Sequence, residues 1–332
     1  MGYPAGMRYR WSLLRAGEFR LDGGSMFGLI PRVVWSRSVP TDERGRITLQ
    51  HNCLLLERDG APAPGVESPG LVLIEAGTGD KLDPKSKDLF ALDGRCVLDA
   101  LHEAGARPED IGAAVVSHLH FDHAGGLTRL ARPGETPDWT GPASSFGPPR
   151  PDHGVKRSFP NATIHAQRRE WEDALANRSV MTRTYFADHL LPIRDHLRLA
   201  DSPPPFPAGA TPDRDEMPGL TVKDRCTEIL PGVRVLRVPG HTWGQQAVLF
   251  EDTKGRTVVF TPDVMPTAQH VGSAYSLAYD VEPYTSTVTR HWFLRAAAEH
   301  GWTLVLDHEP GNPVRRVTPN GKGWYELHDD QP

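Results

Sequence analysis

The sequence predicts an α/β (α+β) protein folded as a four-layer αββα sandwich, in which two sheets pack face to face and helices cover both outer faces. Strand-like segments cluster in both halves of the 332-residue chain, with helical segments between and after them. Three of these strands follow one another over residues 233–261 without an intervening helix. A doubly wound parallel sheet would need a helix after nearly every strand, so these observations favour the sandwich.

Runs of β-branched and other apolar residues mark the predicted strands. Residues 46–57 and 71–75 are expected to form a first pair, separated by a proline-rich loop. Further strands are predicted at residues 113–117, 163–166, 233–238, 246–251, 257–261 and 303–306. Each of these short apolar runs has the length expected of a buried strand.

Apolar residues at helical spacing mark the predicted helices. Leucine and valine side chains near this spacing predict an amphipathic helix over residues 88–104, and a clear pattern predicts another over 285–300. Residues 170–199 are predicted to form one or two helices, interrupted near Pro192.

We expect a single domain at residues 21–332, preceded by an N-terminal leader at residues 1–20. The start of the chain is basic but lacks the apolar stretch of a secretory signal peptide. Two segments rich in proline and glycine, near 133–160 and 202–218, are predicted to be insertions, and the first has the character of a lid-like loop.

The composition argues against several classes of protein. The net charge of −5 argues against a nucleic-acid-binding protein, which would usually carry a basic excess. No stretch approaches about 18 uncharged apolar residues, so no transmembrane helix is predicted. The three cysteines are far apart and form no C-x-x-C pair, which suits a reducing compartment, and we expect a cytoplasmic protein. The expected partner is a small-molecule substrate rather than a nucleic acid or a membrane, and a homodimer is one expected assembly.

The most informative segment is SHLHFDHAGG at residues 117–126, which directly follows a predicted buried strand. Imidazole nitrogens and carboxylate oxygens are ligands that suit zinc and related divalent ions. Alternate residues of an extended segment point the same way, so His118 and His120 can share one ion. Asp122 and His123 follow on the turn and can reach a second ion. The alternative interpretation is a histidine-rich turn on the protein surface.

The pattern H-x-H-x-D-H, followed by a distant His, a distant Asp and a final His at strand ends, resembles that of the metallo-β-lactamase superfamily. The distant residues are His241, Asp263 and His308, each directly after a predicted strand. The segment LIEAGTG at 73–79 is similar to an early D-x-G turn of that family, with Glu75 where Asp is usual. The resemblance covers about residues 46–311 and implies the metallo-β-lactamase fold.

The resemblance also implies a dinuclear metal centre. Its ligands would be His118, His120 and His241 at the first site and Asp122, His123 and His308 at the second, with Asp263 bridging both. Two divalent ions per chain are expected, with zinc as the first choice and Mn, Fe or Co as alternatives. Asp122 would also be catalytic, taking up a proton as the reaction intermediate collapses. His270, seven residues after Asp263, is kept open as a further ligand.

Within the superfamily the ligand set resembles that of the dinuclear hydrolases. Acyl-homoserine-lactone lactonases are the preferred reading; phosphotriesterases and glyoxalase II-type thioesterases are the alternatives, and a non-catalytic metal-binding protein is less favoured. The segment GGSMFG at residues 23–28 is similar to the one that lines the substrate pocket of quorum-quenching lactonases. We therefore predict that Met26, Phe27 and Tyr185 bind substrate; the alternative is that Met26 and Phe27 are core residues.

The chain departs from the well-studied lactonases at one position. They place a Tyr three residues after the bridging Asp, and here that position is Pro266. Tyr185, Tyr275 and Tyr279 are the candidates to replace it, and the sequence does not choose among them.

Overall fold

The structure is a computed structural model that describes residues 7–61, 68–180, 183–205, 221–272 and 274–331. Strands are its most numerous elements. In chain order the strands are β1 (Arg8–Asp22), β2 (Arg46–Asp59), β3 (Leu71–Ile74), β4 (Ile111–Val115), β5 (Thr128–Leu130), β6 (Trp139–Pro142), β7 (Asp152–Arg157), β8 (Thr163–Gln167), β9 (Leu197–Ala200), β10 (Cys226–Leu230), β11 (Val233–Arg237), β12 (Gln246–Asp252), β13 (Thr257–Thr261), β14 (Thr303–Leu306), β15 (Val314–Pro319) and β16 (Tyr325–Asp329).

The helices are shorter, with one exception at the C-terminal end. They are α1 (Gly23–Phe27), α2 (Arg32–Trp35), α3 (Pro84–Phe90), α4 (Val97–Glu103), α5 (Phe121–Ala124), α6 (Arg168–Leu175), α7 (Ala187–Leu190), α8 (Val222–Arg225) and α9 (Pro283–His300). Short 3₁₀ turns lie at Pro108–Asp110, Gly125–Leu127, Leu191–His196 and Ala268–Val271. No helix in the described ranges is both long enough and apolar enough to cross a membrane.

The large sheet consists of two half-sheets joined at a narrow seam. Its strand order is β16-β15-β14-β13-β12-β1-β2-β3-β4-β8-β9, and β11 pairs with β10 and β12. At the seam, β1 and β12 pair only through Arg8 with Glu251 and Tyr9 with Asp252. We call β1–β4, β8 and β9 the first half-sheet and β10–β16 the second. So short a seam lets the two halves pack against each other.

The apolar core between the half-sheets is what holds the sandwich together. Leu54, Val72 and Val115 of the first half-sheet contact a cluster that includes Val248 and Phe260 of the second, and all five side chains are fully buried. Burying apolar surface on this scale is the main force that favours folding. The two half-sheets therefore form the middle layers of the structure.

The helices cover the outer faces. Val97 of α4 and Trp171 of α6 pack against the outer face of the first half-sheet. Trp292 and Phe293 of α9 pack against Leu304 and its neighbours on the second. The predicted four-layer αββα sandwich is confirmed.

The predicted N-terminal leader is wrong over residues 8–20, because these residues form most of β1. β1 pairs along its length with β2 in an antiparallel hairpin. Tyr9 and Phe19 of this strand are fully buried, whereas Arg8 pairs with Glu251 at the surface. The basic residues that suggested a leader are the solvent-facing side of a strand. Residues 1–6 lie outside the described residues.

The first Pro- and Gly-rich segment carries regular structure rather than a single lid-like loop. Strands β6 and β7 fall within residues 133–160 and form a three-stranded antiparallel sheet with β5. The loop between β6 and β7 carries Phe146 to the cavity described below. Residues 206–218 of the second predicted insertion lie outside the described residues.

Two helix predictions also need correction. The helix expected over 88–104 is two helices, α3 and α4, because Ala91 at the end of α3 adopts φ 47° and Gly94 adopts φ 86°. These left-handed conformations end a right-handed helix. Within residues 170–199, α6 ends at Leu175 and α7 begins at Ala187, so the interruption expected near Pro192 comes earlier in the chain. Pro192 lies in the 3₁₀ turn Leu191–His196, and the last residues start β9, which pairs in parallel with β8.

Candidate metal centre

The predicted ligands converge because each follows a strand at the same edge of the sandwich. β4 leads into His118, β11 into His241, β13 into Asp263 and β14 into His308. Backbone hydrogen bonds hold these strand ends together across the two half-sheets: Gln246 N–H donates to Ser117 O at 2.9 Å, and Asn52 N–H donates to Asp307 O at 2.8 Å.

The first site contains the three predicted histidines. The ring nitrogens of His118, His120 and His241 lie within 4.8 Å of one another, and all three residues are buried. His241 Nε2 lies 3.0 Å from His120 Nδ1 and 3.0 Å from Asp263 Oδ2. His118 Nε2 lies 3.8 Å from the same Asp263 oxygen. Three nitrogens and one carboxylate oxygen thus face a common point.

The second site lies on the other side of Asp263. His123 Nε2 and His308 Nε2 are 3.2 Å apart. Asp263 Oδ2 lies 3.6 Å from His123 Nε2, and Asp263 Oδ1 lies 3.5 Å from His308 Nε2. The oxygens of Asp122 are each 3.8 Å from one of these two nitrogens. The structure therefore brings all seven predicted ligands together, with the Asp263 carboxylate between the two histidine groups.

The residues present fit a pair of divalent cations. His118 Nε2 and Asp263 Oδ1 are buried and have no hydrogen-bond partner in the described part of the chain. Buried polar atoms without partners are rare in native proteins and call for a ligand or an ion. A cation can accept lone pairs from several ring nitrogens at once, and this set of nitrogen and oxygen donors suits zinc.

The outer nitrogens of the ligand histidines are held by hydrogen-bonding groups. His241 Nδ1 lies 3.1 Å from Asp280 Oδ1, and His308 Nδ1 lies 3.1 Å from Gln50 O. His123 Nδ1 lies 3.3 Å from Glu75 Oε2. Such partners orient a ligand imidazole and leave its other nitrogen for the metal.

Glu75 gains a second role from its position. Its Oε1 accepts a hydrogen bond from Ser117 N–H at 2.6 Å, so it connects the turn after β3 to the start of the histidine motif. The sequence marked Glu75 only as a replacement for the usual Asp. Neither its contact with His123 nor that of Asp280 with His241 could be read from local spacing.

Electrostatics favour neutral rings for two of the three histidines of the first site, His118 and His120. Burial holds the pKa of His118 and His120 well below the ordinary value, and the neighbouring histidines lower it further. Both rings are therefore neutral at physiological pH, and their lone pairs are available to a cation.

The carboxylates attract positive charge to the rest of the centre. Burial opposes protonation of His123, but Asp122 and Glu75 outweigh it and raise the pKa of His123 well above its usual value. Burial also opposes protonation of His241, yet Asp263 outweighs it and raises the pKa of His241 to about 10. A field that holds protons this firmly also favours metal cations, which bind in competition with those protons.

Asp307 is a carboxylate at the second site that the sequence analysis did not assign. Its ligand atom lies within 4.8 Å of those of His123, Asp263 and His308. Asp307 is buried, and neither carboxylate oxygen has a hydrogen-bond partner among the described residues. Burial and then the charge of Asp263 raise the pKa of Asp307 well above its usual value. The only sequence signal was an acidic residue directly before the last ligand.

A cavity of about 310 Å³ opens beside the centre. Five of the ligands reach its wall, and the remaining lining residues are mostly apolar. The lining residues are Leu21, Met26, Leu89, Phe90, His120, Phe121, Asp122, Phe146, Arg183, Thr184, His241, Asp263, Leu277, Tyr279 and His308. The phenylalanines, Arg183 and Leu277 are lining residues that the sequence analysis did not single out.

The three predicted substrate-binding residues take different positions. Met26 lines the cavity. Phe27 is buried behind the wall, where its ring packs against Trp35, so the core alternative describes it better. Tyr185 is not a lining residue; its hydroxyl donates to Glu170 at 3.1 Å, and its ring packs beside His120.

The other candidates from the sequence are also resolved. Tyr279 lines the cavity, whereas Tyr275 packs edge-on against Phe27 behind it. His270 does not belong to either cluster of candidate metal-binding side chains. Its Nε2 lies 2.8 Å from Met26 O and its Nδ1 lies 2.8 Å from Thr267 Oγ1, so it anchors the segment that carries Met26.

Comparisons with known proteins agree with this geometry. The family model described as the metallo-beta-lactamase superfamily matches residues 47–308. N-acyl homoserine lactonases from Bacillus sp. and Bacillus thuringiensis are 25% identical to this chain over 195 residues, which is 58% of this chain. This chain spans only about half of the length of those curated relatives, at 55%.

Solved structures support the fold. A probable metal-dependent hydrolase from Staphylococcus aureus has a TM-score of 0.70 at 22% identity, covering 99% of this chain and 100% of that chain. The dizinc quorum-quenching lactonase AidC, solved in complex with a product, has a TM-score of 0.65 at 17% identity and covers 98% of both chains. Because the family model spans most of the sequence, including every ligand of the centre, the chain belongs to the metallo-β-lactamase superfamily.

Proposed function

We propose that this chain is a dinuclear metallohydrolase that opens the ring of a lactone with an apolar acyl chain, such as an acyl-homoserine lactone. The observation that carries the proposal is the convergence of the seven predicted ligands at the wall of an apolar cavity. Two divalent ions bound there, which we propose to be zinc, would supply a nucleophilic water at neutral pH and polarise the substrate carbonyl.

The cavity wall suits an acyl or aryl group. The rings of Phe90, Phe121 and Phe146 contact one another, with centroids 4.9–5.2 Å apart. Met26 and Leu277 add apolar surface to the same cavity. Pockets of this kind bind their ligands mainly through apolar contact, with a few polar groups that fix orientation. An apolar tail lying against these side chains would place its carbonyl group beside the metal ligands.

Two polar side chains of the cavity have properties suited to ring opening. Asp122 is buried but lines the cavity, where it can take up a proton as the intermediate collapses. Burial raises the pKa of Tyr279 to about 12, so its hydroxyl stays protonated and able to donate a hydrogen bond. We propose that Tyr279 replaces the tyrosine that lactonases carry at the position of Pro266.

The relatives and the thiols support the rest of the assignment. The curated relatives are named N-acyl homoserine lactonases, and AidC is a quorum-quenching lactonase. Cys53, Cys96 and Cys226 are all free thiols, which supports the proposed cytoplasmic location. Phosphotriesters and thioesters remain the alternative substrates, and the experiment below discriminates between them and lactones.

The test is a chain-length series of acyl-homoserine lactones, measured as kcat/KM on the metal-loaded protein. We expect kcat/KM to rise with acyl length, and Met26→Ala to flatten this dependence because it removes part of the apolar wall. Val33→Ala is the matched control, since Val33 is 67% exposed and does not line the cavity. No lactone opening together with efficient thioester or phosphotriester hydrolysis would assign the chain to one of those classes instead.

A further inference from the structure

Glu170 is a fully buried carboxylate outside the ligand set, in the first turn of α6. Its Oε1 accepts hydrogen bonds from Leu119 N–H at 2.9 Å and from the Tyr185 hydroxyl at 3.1 Å. Its Oε2 accepts a hydrogen bond from the Thr242 hydroxyl at 2.6 Å. All three donors are uncharged groups. Burial raises the pKa of Glu170 above its ordinary value, and these three hydrogen bonds oppose that rise.

Each donor adjoins a ligand of the first metal site. Leu119 lies between His118 and His120 in the chain, and Thr242 directly follows His241. The ring of Tyr185 packs beside His120, with centroids 5.1 Å apart. One carboxylate is therefore connected to the segments that carry all three nitrogen ligands of that site.

These segments come from different half-sheets. The His118–His120 segment follows β4 of the first half-sheet, whereas His241 follows β11 of the second. Glu170 joins them at the metal centre, so its hydrogen bonds constrain how far apart the ligand nitrogens can move. A shift of a few tenths of an ångström matters here, since zinc binds nitrogen at about 2.0–2.1 Å.

The loop after His241 is fitted closely to the start of α6. A Cβ atom at Gly244 would approach Glu170 N to 2.3 Å, so only glycine allows this contact. The Arg169 guanidinium lies over the Trp243 ring, 5.9 Å from its centroid. The contact between Glu170 and Thr242 is thus the centre of a packed interface.

We propose that Glu170 is a positioning residue for the first metal ion, a role that rests on the dinuclear centre of the proposed function. It fastens the His118–His120 segment to the His241 loop through hydrogen bonds from Leu119 N–H and from the Thr242 hydroxyl. Outer carboxylates of this kind typically contribute 10–100-fold to metal affinity.

The test compares Glu170→Gln with Glu172→Gln in the full chain. Gln keeps the size of Glu but replaces one accepting oxygen by an amide that only donates, so it cannot accept all three hydrogen bonds. Glu172 is an exposed residue of the same helix. Zinc affinity is measured by competition with a chelator, and the geometry of each site by the visible absorption of the cobalt-substituted protein. We expect Glu170→Gln to weaken one of the two ions about 10–100-fold and to alter one cobalt spectrum, with Glu172→Gln unchanged.

Thr242→Val provides a second variant that keeps the carboxylate and removes one of its donors. We expect Thr242→Val to lower the affinity for the same ion by a smaller factor. This variant tests the proposal if Glu170→Gln fails to fold. Wild-type affinities and cobalt spectra in both variants, with only a lower Tm, would show that Glu170 is purely structural. A wild-type protein that binds neither ion would instead refute the metallohydrolase assignment, so the two failures are distinguishable.

Discussion

Asp263 is the residue on which the pairing of the two sites depends. Its Oδ2 lies 3.0 Å from His241 Nε2 of the first site and 3.6 Å from His123 Nε2 of the second. The charge of His241 and then of His308 outweighs burial and holds the pKa of Asp263 well below its usual value. It is therefore ionised at neutral pH and offers a negative charge to both sites.

Asp263→Asn should remove this shared charge while leaving the shape of the side chain. We expect elemental analysis to show about one metal ion per chain instead of two, and lactone turnover to fall by at least about 100-fold. The matched control is Asp252→Asn, a buried aspartate at the far end of β12 that pairs with Arg256. It should lower Tm but keep both ions, and an Asp263→Asn protein with two ions and full turnover would contradict the bridging role.

At the residue scale, the sequence was informative about ligands and uninformative about their supports. The convergence of the seven predicted ligands could be predicted because histidine and aspartate stand at strand ends in a pattern with a known chemistry. The roles of Glu75 and Asp280 could not be predicted, because the spacing of nearby residues does not show which carboxylate will contact a distant imidazole. Asp280, for example, contacts His241 from 39 positions away. Asp307 was not assigned from the sequence, and it is buried at the second site.

At the element scale, regular apolar patterns predicted the positions of most strands. They did not predict where the backbone turns and a helix ends. The three consecutive strands over 233–261 appear as β11, β12 and β13 because their apolar runs are buried between sheet and helix. The split between α3 and α4 depends on the left-handed conformation of Ala91, which the sequence does not mark. β1 was missed because its arginines hid the alternation of buried and exposed residues.

The 3₁₀ turn Ala268–Val271 supports the cavity wall through His270. Burial and then the charge of Arg290 lower the pKa of His270 from its ordinary 6.5 to about 3. In the neutral ring Nε2–H donates to Met26 O, and Nδ1 accepts from the Thr267 hydroxyl. Because burial penalises the charged ring, the folded protein reaches its full stability only when His270 is neutral, and this is a requirement on the pH.

This requirement predicts a loss of stability in acid. Because the folded pKa is depressed, the unfolded chain binds the proton first, and the contribution of His270 is complete above pH 6.5 and declines as the pH falls toward 3. The slope contributed is at most about 1.4 kcal/mol per pH unit. His270→Gln can make both hydrogen bonds without titrating, so the free energy of unfolding should fall less steeply in this range.

Urea unfolding at a series of pH values from 4 to 8 measures the effect, with metal removed by chelation so that ligand protonation is common to all samples. The exposed His102→Gln serves as the control and should follow the wild-type curve. Parallel curves for wild type and His270→Gln would show that His270 does not carry the acid sensitivity.

At the scale of the whole molecule, the metal centre connects the two half-sheets. His118, His120, Asp122 and His123 follow a strand of the first, and His241, Asp263 and His308 follow strands of the second. Within the described residues the strand pairing between the halves is confined to the short seam at β1 and β12, at the opposite end of β12 from the centre. The ions would therefore cross-link the half-sheets at the end where no strand pairing of the described residues joins them, in addition to single hydrogen bonds such as that from Gln246 N–H to Ser117 O.

Removal of both ions should destabilise the folded chain as a whole. Binding to the native state alone stabilises it by about 4 kcal/mol per site when free metal is 1,000 times Kd, and each kcal/mol corresponds to a few degrees of Tm in a chain of this size. Without ions, the centre also leaves buried carboxylates and ring nitrogens without partners, which adds to the loss. We expect chelation to lower Tm by roughly 10 °C or more. Differential scanning calorimetry before and after chelation, with elemental analysis of each sample, measures the change. Asp263→Asn should lose less than wild type, because it starts with one ion fewer. An unchanged Tm in protein shown to be free of metal would mean that the half-sheets are held without the ions.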